Sequence, residues 1–155
     1  MRMHTVAVLG IAVLLGGVGL AAAADAKEEA VKKELQALKG TWRPVSREVD
    51  GVKTSEEELK DVIIRRDEAG MFSVRLGDQV IIEGTIKIDP AKKPKTVDTT
   101  YSTGENKGKV AKGIYEIDGD TYRLCFAQPG SERPKEFSAK AGSGNTLIVY
   151  KREKK

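Results

Sequence analysis

Residues 110–127, VAKGIYEIDGDTYRLCFA, contain two runs of alternating apolar and polar residues joined by a turn. Tyr115 and Ile117 share one face of the first run, and Tyr122 and Leu124 share one face of the second, because side chains alternate between the two faces of a β-strand. The Asp-Gly pair at 118–119 favours a tight turn. We therefore predict an antiparallel hairpin with strands at 110–118 and 121–127.

The same two-residue period continues on both sides of this hairpin, between turn residues at short intervals. It predicts eight strands, at about 41–49, 61–67, 71–77, 79–88, 96–102, 110–118, 121–127 and 145–151. Closing such strands into a barrel removes both edges of the sheet. We therefore predict an all-β fold, an eight-stranded antiparallel up-and-down barrel, with a two-sheet sandwich as the alternative.

Single residues predict where the strands depart from regular geometry. Pro44 indicates an irregular position in the first strand, since proline donates no backbone hydrogen bond. Gly84 and Gly113 fall inside strands, where glycine often marks a sharp bend or a bulge.

Helical periodicity is confined to two short segments. From 26 to 39, Val31, Leu35 and Leu38 form one narrow apolar stripe, and Gly40 ends the pattern. Such a stripe indicates a helix that rests on another element and exposes its opposite face to water. In residues 54–59, a serine followed three residues later by a glutamate predicts a capped helical turn.

The first 24 residues have the pattern of a secretory signal peptide. A short start containing Arg2 precedes an uncharged apolar run from Val6 to Ala21, which is shorter than the roughly 20 residues of a membrane-spanning helix. We predict cleavage after Ala24, and location in the periplasm or cell envelope or secretion from the cell. An uncleaved N-terminal anchor is the alternative. The predicted organisation is a signal peptide (1–24), an N-terminal helix (25–39) and a barrel domain (40–155).

The composition favours no catalytic, metal-binding or nucleic-acid-binding class. Cleavage would remove the only histidine, His4, and histidine is both the usual general base and the commonest metal ligand. The only cysteine, Cys125, lies in an apolar strand pattern, where a free thiol packs as a small hydrophobe. The net charge is only +4, and the basic residues are dispersed. We expect no enzyme activity, cofactor, metal or nucleic-acid partner, and no stable membrane insertion after signal removal.

The charged residues from 61 to 68 do not predict an acid–base pair. Asp61, Asp67 and Glu68 lie close in sequence to Arg65 and Arg66, a pattern that usually forms surface ion pairs. Hydrolysis by carboxylates alone is therefore a minor third hypothesis, with no acidic residue clearly facing inward in the predicted register.

The triplet Gly40-Thr41-Trp42, between a helix and the first strand, resembles the Gly-x-Trp signature of lipocalin and calycin barrels. The resemblance implies that Trp42 packs at the closed end of the barrel under an arginine from the last strand, and Arg152 is the matching candidate. A wider resemblance is to a family of small exported lipocalin-like domains of planctomycete bacteria, which has no assigned activity. The segments that carry it are 38–42, 49–51, 83–85, 89–95, 113–116, 118–120 and 124–125.

Five aromatic residues on the predicted inner face are the candidate ligand-binding residues: Phe72, Tyr101, Tyr115, Tyr122 and Phe126. An eight-stranded barrel is just wide enough either to be filled by side chains or to hold one small ligand. The leading hypothesis is a non-catalytic extracytoplasmic barrel that binds a small, partly apolar molecule. The alternative is a structural or protein-interaction module of the cell envelope, with a filled barrel and contacts through the lysine-containing loops at 89–95 and 104–109.

Overall fold

The computed structural model describes residues 18–154 of the chain. Arg2, His4 and most of the predicted signal peptide lie outside the described residues. The elements are α1 (Val18–Leu38), β1 (Gly40–Val49), β2 (Val52–Lys53), α2 (Glu56–Leu59), β3 (Val62–Arg66), β4 (Met71–Leu76), β5 (Gln79–Asp89), β6 (Lys95–Tyr101), β7 (Val110–Asp118), β8 (Thr121–Ala127) and β9 (Asn145–Arg152).

The strands form one closed antiparallel sheet. The order is β2-β1-β3-β4-β5-β6-β7-β8-β9, and a further pairing of β1 with β9 closes it. Eight strands make the barrel, and the two-residue strand β2 extends β1 as a short hairpin. The predicted all-β fold, an eight-stranded antiparallel up-and-down barrel with an N-terminal helix, is confirmed, and the sandwich alternative is wrong.

The strands are irregular at two register shifts, one in the β1–β9 pairing and one in the β4–β5 pairing between Val74 and Arg75, and at a buried glycine of β5. The β1–β9 register shifts between Pro44 and Ser46, as the proline predicted, and Val45 between them is 52% exposed. In β5, the glycine at 84 allows a neighbouring strand to approach, because a Cβ there would lie 2.2 Å from the Thr100 carbonyl oxygen and 2.8 Å from the Phe72 ring. An aromatic ring over a strand glycine is one of the devices that curve a sheet.

Helix α1 lies across one end of the barrel. Its apolar stripe, Val31, Leu35 and Leu38, packs against the core, as predicted, and residues 19–30 are exposed. The helix is longer than the predicted 26–39, because the alanines at 21–24 have the highest helix propensity and continue it to Val18. None of the helices among residues 18–154 has the length and apolar content needed to cross a bilayer.

The irregular segment 128–144 covers the outer face of β7 and β8. Beneath it Cys125 is fully buried, and its Sγ donates to the Ser138 carbonyl oxygen at 3.4 Å. Arg133 of this segment donates to the carbonyl oxygens of Val97, at 3.0 Å, and Gly113, at 2.6 Å. The thiol is therefore a packing group, and burial raises its pKa above the ordinary value.

Candidate functional site

The end of the barrel beneath α1 is closed by Trp42. The indole Nε1 donates to the Leu38 carbonyl oxygen at 2.8 Å, and the Arg152 guanidinium lies 4.2 Å from the ring centroid. Arg152 also donates to the carbonyl oxygens of Ala37 and Lys39, each at 2.6 Å. Ala37 is in the last turn of α1 and Lys39 follows the last helical residue, where the helix provides no further N–H groups, so Arg152 links the end of α1 to the barrel.

The glycine of the triplet is required by the same arrangement. Gly40 has a φ of +129°, and a Cβ there would lie 3.1 Å from Arg152 Nη1. Gly40 and Trp42 therefore both lie against Arg152 at this end, so the three residues given structural roles by the lipocalin resemblance are grouped there.

Two of the five candidate ligand-binding aromatics belong to this closed end. The Tyr122 ring lies 5.8 Å from the Trp42 ring and 6.0 Å from the Tyr115 ring. Both tyrosine hydroxyls are buried without a hydrogen-bond partner among the described residues, and burial raises the pKa of both. Tyr115 and Tyr122 fill the core and do not line the barrel cavity.

Above this aromatic layer the barrel contains a cavity of about 350 Å³. Ligand pockets in proteins are roughly 300–1,000 Å³ in volume, so this one suits a small molecule. Phe72, Tyr101 and Phe126 do line it, with a ring of aliphatic side chains. The complete lining is Pro44, Arg47, Thr54, Glu58, Leu59, Val62, Ile64, Arg66, Phe72, Val74, Ile81, Ile82, Ile86, Thr99, Tyr101, Leu124, Phe126, Ile148 and Tyr150.

The rim of the cavity is formed by α2 and the neighbouring strand ends. The predicted capping box is confirmed: the Glu58 side chain accepts from the Ser55 backbone N–H at 3.0 Å, and the Ser55 side chain accepts from the Glu58 backbone N–H at 3.3 Å. The Ser55 hydroxyl also donates to Glu58 Oε2 at 2.7 Å, and this bond, together with the one from the Ser55 backbone N–H, holds the pKa of Glu58 below its usual value. Arg47 donates to Thr54 Oγ1 at 3.1 Å. Ile81 is 44% exposed, so this end of the cavity reaches solvent.

Arg66 lies at the inner end of the cavity and not on the surface, where the charge pattern of residues 61–68 predicted it. The residue is only 9% exposed. Its Cζ lies 5.0 Å from the Tyr122 ring centroid and 5.7 Å from that of Phe72. Its Nε and Nη1 are buried without a hydrogen-bond partner among the described residues. The expected surface ion pair is therefore wrong for Arg66, whereas its neighbour Arg65 is exposed.

The sequence did contain a signal for this inward position. Ile64 and Arg66 are two residues apart in β3, so both side chains point to the same face, and Ile64 is buried in the core. The nearby acidic residues favoured the surface interpretation instead. Asp67 in fact accepts from backbone N–H groups of the β3–β4 turn, those of Ala69 and Met71.

Arg66 also acts on the tyrosines around it. Burial raises the pKa of Tyr122 and Tyr150, and the positive charge of Arg66 opposes the shift in both cases. The two rings are stacked with their centroids 5.6 Å apart. Tyr150 lines the cavity, so its ring and Arg66 form part of the same inner surface.

A second cavity, of about 610 Å³, lies outside the barrel between α1 and strands β5 and β6. Its walls include the charged residues Lys27, Glu28 and Asp89, and Lys27 pairs with Asp89 at 3.4 Å. It is a groove beside the helix, whereas the first cavity lies within the barrel. The barrel cavity is therefore the better candidate site.

Comparison of the chain with models of protein families, with curated proteins and with solved structures found no match. The geometry of the barrel cavity is therefore the main guide to the function of the protein.

Proposed function

We propose that this protein is a non-catalytic barrel, located outside the cytoplasm, that binds one small and partly apolar molecule in the cavity above Tyr122. The observation that carries the proposal is the cavity itself. It has about 350 Å³ of space, mostly apolar walls and an end that reaches solvent at Ile81. The extracytoplasmic location is supported by the signal-peptide pattern of residues 1–24.

The distribution of polar groups also supports a binding role. Most lining side chains are aliphatic or aromatic, with a few polar groups at defined positions: Thr99 and Tyr101 on the wall, Arg47 and Glu58 at the rim, and Arg66 at the inner end. Small-molecule sites commonly combine apolar walls, which provide affinity, with a few polar groups that orient the ligand. The proposal involves no chemical step.

The first test is native mass spectrometry of the protein purified gently from its own envelope fraction, with the denatured mass as reference. Extra mass that is lost on denaturation supports the proposal and identifies the ligand class. The second test is titration with a neutral apolar fluorophore, N-phenyl-1-naphthylamine. We expect saturable binding of about one molecule per chain, since the described barrel contains one such cavity.

Two adjacent threonines provide a matched pair of variants for the titration. Thr99 lines the cavity, whereas Thr100 is exposed on the opposite face of β6. Thr99→Phe should weaken fluorophore binding by about tenfold or more, because the added ring would occupy cavity volume that the fluorophore needs, and such steric overlap costs roughly 1–3 kcal/mol. Thr100→Phe should leave it within about twofold, since exposed substitutions are nearly neutral. Absence of binding, or equal loss in both variants, would refute the cavity as the site and leave the envelope interaction module as the better hypothesis.

A further inference from the structure

We infer that the ligand carries a carboxylate head group, which is bound by Arg66 at the inner end of the barrel cavity, while its apolar part extends toward the rim. This inference rests on the proposed function and names the chemical class of the ligand. It follows from a buried positive charge for which the described residues provide no counterion.

Arg66 is buried while it carries a positive charge. The side chain is only 9% exposed, and two of its three nitrogens are buried without a hydrogen-bond partner among the described residues. Arginine stays charged at all physiological pH values, so the group cannot escape the cost of burial by losing its proton. Buried charges in native proteins are almost always paired, and an unpaired one indicates a missing ligand or a functional role.

Two aromatic rings lie beside the Arg66 guanidinium. The rings of Phe72 and Tyr122 provide partial compensation through their electron-rich faces, at 5.7 and 5.0 Å from Cζ. Besides burial, the negative charge of Glu34 on α1 raises the pKa of Tyr122, but the Glu34 carboxylate already pairs with Lys95. No salt bridge among the described residues involves Arg66, the Phe72 ring has no acceptor oxygen, and the Tyr122 hydroxyl makes no hydrogen bond with the guanidinium.

The described lining of the cavity has a net positive charge. The charged lining residues among those described are Arg47, Glu58 and Arg66. Arg47 and Glu58 lie together at the rim, where the positive charge of Arg47 helps to lower the pKa of Glu58. One positive charge is left over, and it lies at the inner end. An anion that entered the cavity would find its partner only there.

The guanidinium and the apolar walls together indicate which kind of anion fits the cavity. A guanidinium presents five N–H donors in a planar fork that matches the geometry of a carboxylate. The walls between Arg66 and the rim are apolar, including Val74, Ile82 and Ile86. A free inorganic anion would leave these walls without a partner, whereas a carboxylate with a short hydrocarbon tail matches both parts of the cavity.

The test compares two probes with the same tail and different head groups, decanoate and decanol, by isothermal titration calorimetry. A charge-assisted hydrogen bond in a buried site predicts that decanoate binds the wild-type protein about 10- to 100-fold more tightly than decanol. In Arg66→Met the preference should disappear while decanol still binds, which shows that the barrel is folded. Arg65→Met is the matched control, because Arg65 is the exposed neighbour on the outer face, and it should keep the full preference.

The other possible binding results distinguish failure of the carboxylate inference from failure of the proposed function. If decanol and decanoate bind the wild type equally, the head-group inference fails and the proposed function stands. If neither these probes nor the neutral fluorophore binds, the proposed function itself fails. If acetate binds as tightly as decanoate in an Arg66-dependent way, the site holds a small free anion and the inference is overturned.

Discussion

Replacing Arg66 with methionine should stabilise the ligand-free barrel. The effective cost of burying one unpaired charge is several kcal/mol, and the two aromatic contacts of Arg66 recover about 0.5–2 kcal/mol of it. Methionine has a similar length, no charge and a flexible side chain that fills irregular space. We therefore expect Arg66→Met to raise the free energy of unfolding by about 1–3 kcal/mol.

A second arginine over an aromatic ring provides the contrast. Arg152 donates to the carbonyl oxygens of Ala37 and Lys39 and pairs with Asp120 at 3.1 Å. The Asp120 side chain is 53% exposed, so screening by water leaves that pair only a small contribution. Loss of the two charge-assisted bonds to the helix end should cost about 2–4 kcal/mol in Arg152→Met.

The assay is urea unfolding of the purified domain without ligand, followed through Trp42. This residue is the only tryptophan and is fully buried at the closed end, so its fluorescence reports on the core. Arg65→Met should lie within about 0.5 kcal/mol of the wild type, as an exposed substitution. A loss of stability in Arg66→Met comparable to that in Arg152→Met would refute the reasoning, because Arg66 would then be a structural group with adequate partners.

Two further predictions concern the tyrosines and the strand glycine. Burial raises the pKa of all four tyrosines above the usual value of about 10. Their contribution to the free energy of unfolding is therefore fully present below pH 10 and declines above it, because the tyrosines of the unfolded chain ionise first. Phenolate absorbance should therefore appear only as Trp42 fluorescence reports unfolding, and an ordinary titration near pH 10 in the folded state would contradict this. Gly84→Ala should cost about 1–3 kcal/mol in the same urea assay, because its Cβ would overlap the Thr100 carbonyl oxygen. Thr85 is the exposed neighbour of Gly84, and Thr85→Ala should change the free energy of unfolding very little. Equal losses of stability in the two variants would disprove the close approach of the Thr100 carbonyl oxygen to Gly84.

Most of the barrel could be predicted from the sequence because its signals are local. Alternation within a strand and turn residues between strands depend on near neighbours in the chain, so the eight predicted strands match those observed to within one or two residues. The irregularity at Pro44 and the capping box at Ser55 and Glu58 are local in the same way. Strand β2 was missed because two residues are too few to show a period.

The contents of the barrel could not be predicted, because the alternation of a strand indicates which face a side chain occupies and not how deep it lies along the barrel axis. That depth depends on the register among all eight strands and on where α1 closes one end. It is why Tyr115 and Tyr122 fill the core while Phe72, Tyr101 and Phe126 line the cavity. The alternation of β3 placed Arg66 on the same face as Ile64, but only the tertiary structure showed that this face encloses a cavity and leaves the charge without a counterion.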